Sequence, residues 1–473
     1  MNPKMNAASR ATISARLADY AAGLRYEDLP TDVRELAHLV LLDTLGCALA
    51  GSTTDEVIKI RQAMTAANAG AGDTILWGTS EKLPLPFAVL VNGAAVHARE
   101  MDDFGGCAHS GSVVIPAALG TAAREGACGR ELLTAIVVGY DIAKRVMDGG
   151  GGYLAFKEVG WHSTSTCGGF GAAVAAGRLL GLDAKRLQWA IGYAGSNAGG
   201  TWAFIPEGAM SKRVHPGFAS QTGVISAYLA ASDVTAPESI FEAEWGGYYP
   251  TYVPGKATPE RATEDLGTDF RIRQVGCKPY AACRGIHSSI DAVLAMRNTH
   301  HVKPSDVVKV IVRGSRTHVK QLGKQAVQTA LDAQMSLPYS IAVALETGGA
   351  MLDQYSAEAL GRSSVLTLAQ RVTVVHEPSV PDGAEPYVDI ELKNGERLSE
   401  RVMVARGDHA NPLSEAEIVS KFRVTAGQAF DAAHVARIEK AVREIAKSDN
   451  VRTLDELMRP TLAKAQKLQA GIT

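Results

Sequence analysis

Three histidines and one lysine stand out in this chain because each lies in a segment rich in Gly, Ala and Ser. They are His109 in CAHSGSVVIPAA, His162 in GWHSTSTCGGFGAA, Lys212 in MSKRVHPGFAS and His287 in CKPYAACRGIHSSIDA. Small neighbours allow backbones to approach closely and leave a cavity into which a long polar side chain can point. Imidazole and ammonium groups can both bind anions and exchange protons. The pattern predicts one anion-binding pocket assembled from distant segments.

The overall charge does not favour a polyanionic partner. The chain has 473 residues, 46% of them hydrophobic, with 48 Lys and Arg against 50 Asp and Glu. This length suits about two or three domains with a sizeable core. Because the charges are balanced, no overall field attracts nucleic acid or an anionic membrane, and an anionic ligand must be held by local charge. We expect neither a nucleic-acid nor a membrane partner.

The cysteines and the amino terminus favour a cytoplasmic protein. The six cysteines are scattered without a CxxC pair, which is typical of free thiols, and they are Cys47, Cys107, Cys128, Cys167, Cys277 and Cys283. The first residues, MNPKMNAASRATISARL, lack the basic-then-apolar pattern of a secretory signal. No stretch approaches the ~20 apolar residues that a membrane-spanning helix needs.

The elements that would position these groups are mostly helices up to about Asp265. The clearest apolar stripe covers residues 33–48, with Thr31 as the predicted N-cap and Gly51 as the predicted stop. Further helices are predicted at 112–125, 130–147, 166–181, 184–196 and 217–231. Residues 149–152 are four glycines and predict a loop, while Gly168, Gly169 and Gly171 lack both GxGxxG spacing and a preceding strand. Since no P-loop occurs either, we expect no nucleotide cofactor.

A smaller α+β unit is predicted after about Arg271. β-Branched alternation predicts strands at 309–313, 371–375 and 388–392, and Asn394-Gly395 predicts a hairpin into a strand through Leu398, Val402 and Val404. Helical periodicity then returns, with Ser414 and Glu417 at capping-box spacing. The final helices are expected to run back onto the first domain.

Several longer motifs, taken together, carry a family resemblance. They are LLDTLGCALAGS, VNGAAVHAREMDD, HSGSVVIPAALGTAAREG, GYDIAKRV, GWHSTSTCGGFGAAVAAGRLLGLD, KPYAACRGIHSSIDAV, SLPYSIAVAL and NPLSEAEIVSKF. With these motifs the chain resembles the MmgE/PrpD family, which includes 2-methylcitrate dehydratase, cis-aconitate decarboxylase and iminodisuccinate epimerase. The likeness covers nearly the whole length.

The resemblance implies both the architecture and the site. It implies a mainly α fold with a large all-helical domain, residues 1–269 and 409–473, and a smaller α+β lid domain, residues 270–408. It further implies a homodimer, and an active site between the domains that needs no metal or organic cofactor. The family's pocket residues fall on His109, His162, Lys212 and His287.

One segment departs from the family pattern. Where the family reads HAxDFDDT or close to it, this chain reads HAREMDDF over residues 97–104. Glu100 aligns with the family aspartate but is one methylene longer, and Phe104 stands where the family has a hydroxyl residue. The departure leaves both the reaction class and the role of Glu100 open.

The chemistry implied by the resemblance is proton transfer at a carbon next to a carboxylate of a di- or tricarboxylate. Such a carbon needs a general base within about 3 Å and cations where negative charge accumulates. We hypothesise that Lys212 and His109 exchange protons with the substrate, while His162 and His287 bind and polarise its carboxylates. Arg213 follows Lys212 directly, and a cation near a lysine favours its neutral form.

Other polar residues are candidates for the same pocket. Glu100, Asp102 and Asp103 form an acidic turn that is either a cap or solvated loop, or part of the pocket. Tyr153 is a candidate second acid, and Lys278, Arg284 and Arg213 are expected to hold substrate charge. A metal site from His97, Glu100, Asp102 and His109 lacks HExxH or paired-Cys spacing, so no metal is expected. Cys283, four residues before His287, is interpreted as a buried thiol rather than a nucleophile.

Three functions remain open from the sequence. The leading prediction is a cofactor-independent lyase that dehydrates or decarboxylates a di- or tricarboxylate, of the 2-methylcitrate dehydratase or cis-aconitate decarboxylase type. The altered Glu100 and Phe104 positions, together with Tyr153, favour an epimerase or isomerase of a dicarboxylate such as iminodisuccinate. A carboxylate-binding protein without turnover is the third, although it would not need all four basic pocket residues.

Overall fold

Helices make up most of the chain in the computed structural model, which describes residues 11–68 and 70–460. The ends of the predicted helical domain, residues 1–10 and 461–473, lie outside the described residues. The first helices are α1 Ile13–Gly23, α2 Thr31–Ser52, α3 Asp55–Ala67, α4 Leu85–His97, α5 Gly111–Glu125, α6 Gly129–Gly149, α7 Tyr153–Val159, α8 Ser163–Leu179, α9 Ala184–Ser196, α10 Ser211–Ala231 and α11 Tyr248–Tyr252. A short antiparallel ribbon, β1 Thr74–Ile75 with β2 Lys82–Leu83, lies among them.

Helix α8 is the centre of this helical body, with α5, α6, α9 and α10 packed around it. Every residue from 163 to 177 is buried. The contact with α6 requires glycine, because a Cβ added at Gly171 would lie 2.2 Å from the carbonyl oxygen of Gly139. Small residues therefore set the short distance between these helices.

The smaller part combines a four-stranded sheet with helices. Its elements are α12 His287–Thr299, β3 Val307–Gly314, α13 Ala330–Gln334, α14 Leu337–Thr347, α15 Ala357–Leu360, α16 Ser363–Ala369, β4 Val372–His376, β5 Tyr387–Leu392 and β6 Arg397–Glu400. The strand order is β4-β3-β5-β6, with β3 parallel to β4 and antiparallel to β5. Helix α12 packs on β5 and β6, and α14 packs on β4. Val310, Val312, Val388 and Ile390 are buried between them.

The last helices return to the helical body. They are α17 Glu415–Ala426, α18 Ala432–Arg443 and α19 Arg452–Leu457. Helix α17 packs on α2, where the buried ammonium of Lys421 lies 2.7 Å from Asp43 Oδ1. Ser414 and Glu417 form the predicted capping box. We retain residues 270 and 408 as the proposed limits of the smaller part.

The mainly α fold with a smaller α+β part is confirmed, with several corrections to its details. Helix α10 begins six residues before the predicted 217, because Pro216 is accommodated inside it. Residues 153–159, for which no helix was predicted, form α7, and Gly149, the first residue of the predicted loop, ends α6. The hairpin at Asn394-Gly395 is confirmed, but its second strand ends at Glu400, short of Val402 and Val404. Helix α2 begins at Thr31 with Pro30 as its N-cap, and it continues one residue past Gly51 to Ser52, so the predicted cap and stop are each displaced by one residue.

Two further features bear on the sequence predictions. Among the described residues, no single helix has the length and apolar composition to cross a membrane. Helices α2 and α3, whose axes are bent by 85° relative to each other, reach that length and composition only when they are taken together. Most of α2 is buried inside the protein. All six cysteines are free thiols.

Candidate active site

A cavity of about 400 Å³ lies between the helical body and the smaller part. This volume is within the range of small-molecule sites. The predicted site residues that line it are Glu100, His109, Tyr153, Lys212 and Arg284. Asp102, His162, Arg213, Lys278 and His287 are buried but do not line it.

Separate segments bring these side chains together. The connection between α4 and α5 carries residues 100–109, α7 carries Tyr153, and Lys212 lies in the first turn of α10. Arg284 begins a short turn of 3₁₀ helix just before α12. Glu100 has a φ of 53°, a left-handed conformation that side chains other than glycine seldom adopt. The chain thus takes an unusual turn at the residue where it departs from the family pattern.

The Glu100 carboxylate is bound by three cations. Its Oε1 contacts the ammonium of Lys212 and lies 2.6 Å from Arg213 Nη1, and its Oε2 lies 3.2 Å from Lys278 Nζ. All four side chains are buried. Burial lowers the pKa of Lys212, and the charges of Arg213 and Lys278 lower it further. The contact with Glu100 opposes this shift by stabilising the ammonium form.

Asp102 links two histidines beside this cluster. Its Oδ2 lies 2.7 Å from His97 Nδ1 and 3.5 Å from His109 Nδ1. The Nδ1 of His109 also lies 2.7 Å from the carbonyl oxygen of Asp103, which can only accept. His109 therefore carries its proton on Nδ1 and leaves Nε2 as the basic atom. Burial lowers the pKa of His109 to about 4, so the ring is neutral at pH 7.

The acidic turn is not a solvated loop. Asp102 and Asp103 are both buried, and the Asp103 carboxylate accepts a hydrogen bond from the backbone N–H of Gly111, at 3.0 Å, where α5 begins. Burial raises the pKa of Asp103 to about 8. Asp103 therefore holds the start of the helix that follows His109.

His162 lies behind the cavity wall. Its ring is 5.0 Å from the ring of Trp202, which lines the cavity, and 6.1 Å from that of His97. Its Nδ1 is hydrogen-bonded to His215 Nδ1 at 3.1 Å. Burial lowers the pKa of both rings, that of His215 to about 4. This pair forms a neutral layer behind Trp202.

His287 also lies behind the wall, on the side of the smaller part. Its Nε2 donates to the carbonyl oxygen of Ala282 at 3.0 Å, and its buried Nδ1 has no hydrogen-bond partner. The ring of Phe104, a cavity-lining residue, is 6.2 Å away. Phe104, which stands where the family pattern has a hydroxyl residue, therefore supplies cavity surface next to His287.

The opposite wall combines aromatic, cationic and acidic groups. Lys157 Nζ lies 5.9 Å from the centre of the Tyr153 ring. Arg284 is bound by Glu385 at 2.9 Å and by Asp408 at 3.1 Å. Burial raises the pKa of Tyr153, so its hydroxyl keeps its proton at neutral pH.

The metal arrangement considered from the sequence is only partly reproduced. Ligand atoms of His97, Asp102 and His109 lie within 4.8 Å of one another. However, His97 and Asp102 are hydrogen-bonded to each other, and Glu100 is bound by cations. Within the cluster, the buried His97 Nε2 and Asp102 Oδ1 have no hydrogen-bond partner in the described part of the chain, and the expectation that no metal binds stays a prediction.

Sequence reasoning missed several residues of the site. Lys157, Trp202, His318, Glu385 and Asp408 line the cavity, and His215 supports His162. Lys157 lies in α7, a helix that was not predicted, and His318 lies in a short π-helical turn. His215 lies three residues after Lys212 on α10. No motif marks these residues, since each is brought to the cavity by tertiary packing.

Comparison with known proteins identifies the family. Residues 15–260 match the MmgE/PrpD N-terminal domain and residues 280–447 the MmgE/PrpD C-terminal domain. A cis-aconitate decarboxylase-like protein oryM of Aspergillus oryzae is 28% identical over 470 residues, covering 93% of this chain and 96% of the relative. A cis-aconitate decarboxylase of Aspergillus terreus is 28% identical over 477 residues, covering 95% and 96%. The cis-aconitate decarboxylase of Homo sapiens is 26% identical over 468 residues, covering 95% of each chain. The chain belongs to the MmgE/PrpD family.

Proposed function

We propose that the protein is a lyase that acts on a small di- or tricarboxylate through proton transfer by His109 and Lys212. The observation that supports this most is that a neutral histidine with a basic Nε2 and a buried ammonium line the same cavity. The relatives are named as cis-aconitate decarboxylases, which favours a decarboxylation.

The two groups would serve different steps. When a carbon–carboxylate bond breaks, the electron pair remains on the carbon and CO₂ leaves, so a proton must be delivered to that carbon. Lys212 is the proposed donor, and solvent then returns its proton. In a dehydration, His109 would remove the proton next to the carboxylate, and Lys212 would protonate the departing hydroxyl, which leaves as water. Arg213 and Lys278 act through Glu100 by setting the charge around Lys212.

His162 and His287 have a supporting role in this proposal. Because neither histidine lines the cavity, whereas the neighbouring Trp202 and Phe104 do, we assign both histidines to positioning the wall rather than to binding carboxylates. Tyr153 supports a second candidate function. Its neutral hydroxyl lines the same cavity as His109, and two proton carriers around one carbon would allow epimerisation of a dicarboxylate.

Proton NMR in D₂O separates these functions. The purified full chain is incubated with a panel of saturated, hydroxylated and unsaturated di- and tricarboxylates. We expect loss of CO₂ or water from one of them, and loss of that turnover in Lys212→Met. Deuterium exchange at the α-carbon without a change of skeleton would favour the epimerase. Recovery of every acid unaltered, despite binding, would overturn the enzyme proposal in favour of a binding protein.

We also propose a homodimer. Helix α10, which begins at the cavity, presents the large apolar side chains of Phe218 and Ile225 to solvent at 51% and 42% exposure, and Met210 precedes it at 46%. Such a row is typical of a protein interface. Light scattering of the full chain should give twice the mass of one subunit, and the Phe218→Glu variant should give the mass of one subunit. A monomeric wild type would overturn the dimer.

A further inference from the structure

Equal numbers of cationic and anionic side chains line the cavity. Three cations, Lys157, Lys212 and Arg284, face three carboxylates, Glu100, Glu385 and Asp408. The lining histidines add no charge at pH 7, because burial lowers the pKa of both His109 and His318. A substrate with several carboxylates therefore meets a wall without net charge.

The guanidinium of Arg284 forms ion pairs with two carboxylates. Its guanidinium binds Glu385 and Asp408 through separate nitrogens, and Glu385 also accepts from the hydroxyl of Ser288 at 2.5 Å. The group formed by Arg284 and the two carboxylates has a net charge of one negative unit. This part of the wall would repel a carboxylate rather than bind it.

Positive charge remains at two other places. Lys157 has no ion-pair partner within 4 Å among residues 11–68 and 70–460. At the other place, the ammonium and guanidinium groups of Lys212, Arg213 and Lys278 outnumber the two carboxylates they contact, Glu100 and Asp102, by one. When the buried Arg213, Lys278 and Asp102 next to the lining residues are counted, the cavity thus has two cationic places and one anionic place.

The rest of the lining is largely apolar. The side chains that supply this surface are Phe104, Met147, Leu154, Trp202, Leu322 and Met335. Apolar surface of this kind binds a hydrocarbon substituent through the hydrophobic effect.

We propose that the substrate is a dicarboxylate with an apolar substituent, and that Glu385 and Asp408 select against a third carboxylate. This inference rests on the proposed function, since it assigns the substrate class of the same site. One carboxylate binds near Lys157, and the other, at the reacting end, near Lys212. A third carboxylate would have to lie against the Arg284 group or lose its water on an apolar wall, and both are unfavourable.

A matched pair of acids tests this selection without turnover. Tricarballylate and 2-methylsuccinate differ only in that a carboxylate of the first is a hydrogen atom in the second. Both are saturated and have no hydroxyl to lose, so calorimetric titration of the full chain measures binding alone. We expect 2-methylsuccinate to bind at least about tenfold more tightly than tricarballylate.

Single substitutions identify the side chains that favour a dicarboxylate over a tricarboxylate. Asp408→Asn and Glu385→Gln each remove one negative charge, and we expect each to strengthen tricarballylate binding several-fold with little effect on 2-methylsuccinate. Lys157→Met should weaken both acids. Asp353→Asn, the same charge change at an exposed residue that does not line the cavity, is the control and should change neither.

The outcomes separate this inference from the proposed function. Equal or tighter binding of tricarballylate by the wild type overturns the inference, as does failure of both acids to bind. Preference for 2-methylsuccinate in a protein that converts none of the acids in the NMR panel would support the substrate class while overturning the lyase.

Discussion

The carboxylate of Glu100 contacts the ammonium of Lys212 at the wall of the cavity, and both side chains are buried. Lys212 has two further cations nearby, and Glu100 is the carboxylate that binds all three. The glutamate at this position is therefore part of the charge balance on which the proposed proton donor depends.

Loss of the Glu100 charge should destabilise the protein. Glu100→Gln leaves the buried cations Lys212, Arg213 and Lys278 without this carboxylate, so we expect the free energy of unfolding in urea to fall by about 3–5 kcal/mol. The control is Glu158→Gln, which breaks an ion pair with Lys256 on the surface and should cost no more than about 1 kcal/mol. Equal, small losses in the two variants would contradict the structural role of Glu100.

Replacement of His109 tests the base that we propose for a dehydration. His109→Gln keeps a hydrogen-bonding group of similar size but cannot take up a proton, so we expect kcat to fall by about 10²–10⁴-fold. His300→Gln, at a partly exposed histidine outside the cavity, should retain wild-type kcat. Retention of kcat within a few-fold in His109→Gln would exclude this residue as the base.

The pH dependence of the reaction should also report His109. Since burial lowers its pKa to about 4, the free enzyme keeps the basic form well below the usual histidine pKa of about 6.5. We expect kcat/KM to lose no activity through His109 protonation between pH 7 and about 5, and to fall only as the pH approaches 4. A steady-state pH profile measures this, and an acidic limb centred near 6.5 would argue against the assignment.

Asp103 should make the stability depend on pH. Its pKa is about 8 in the folded protein and about 4 in the unfolded chain, so the folded state binds an extra proton between these values. The stabilisation from this proton is complete below pH 4 and is lost as the pH rises through 8. Relative to Asp103→Asn, the wild-type unfolding free energy should decline by up to about 1.4 kcal/mol per pH unit from pH 5.5 to 7.5. If the unfolding free energies of the two proteins change with pH in parallel, the raised pKa of Asp103 is refuted.

Two glycines on α8 provide a matched test of helix packing. In Gly171→Ala the new Cβ meets the Gly139 carbonyl at 2.2 Å, and we expect a loss of about 1–3 kcal/mol in unfolding free energy. In Gly169→Ala the nearest atom, the Ala219 carbonyl oxygen, is 3.6 Å away. This variant should be neutral or gain up to about 1 kcal/mol from helix propensity. Thermal unfolding that ranks the two in the opposite order would show that α6 can move aside.

The helices around α8 were predictable because their sequences carry local signals. Helix α9 occupies the predicted residues 184–196, and the capping box at Ser414 marks the start of α17. Helix α10 was predicted too short because Pro216 breaks the local pattern, whereas tertiary packing holds the preceding turn. Lys212 consequently lies on a helix rather than in a connection.

The sequence predicted which residues lie near the site, but it did not predict which of them line the cavity. The resemblance pointed to His109 and Lys212, which do line the cavity, and equally to His162 and His287, which lie behind aromatic side chains. Which residues face the cavity depends on side-chain packing between segments far apart in sequence. The contact between Glu100 and three cations depends in addition on the left-handed backbone at Glu100, for which the sequence carries no local signal.

The buried pair of Asp43 and Lys421 joins residues 378 positions apart. During synthesis, α2 leaves the ribosome long before α17, so its packing partner is missing for most of translation. The apolar face of α2 must then remain uncovered or be sheltered by a chaperone until the last helices emerge. The helical body is thus completed only after α17 has been synthesised, and truncation before α17 should yield an aggregating chain rather than a smaller enzyme.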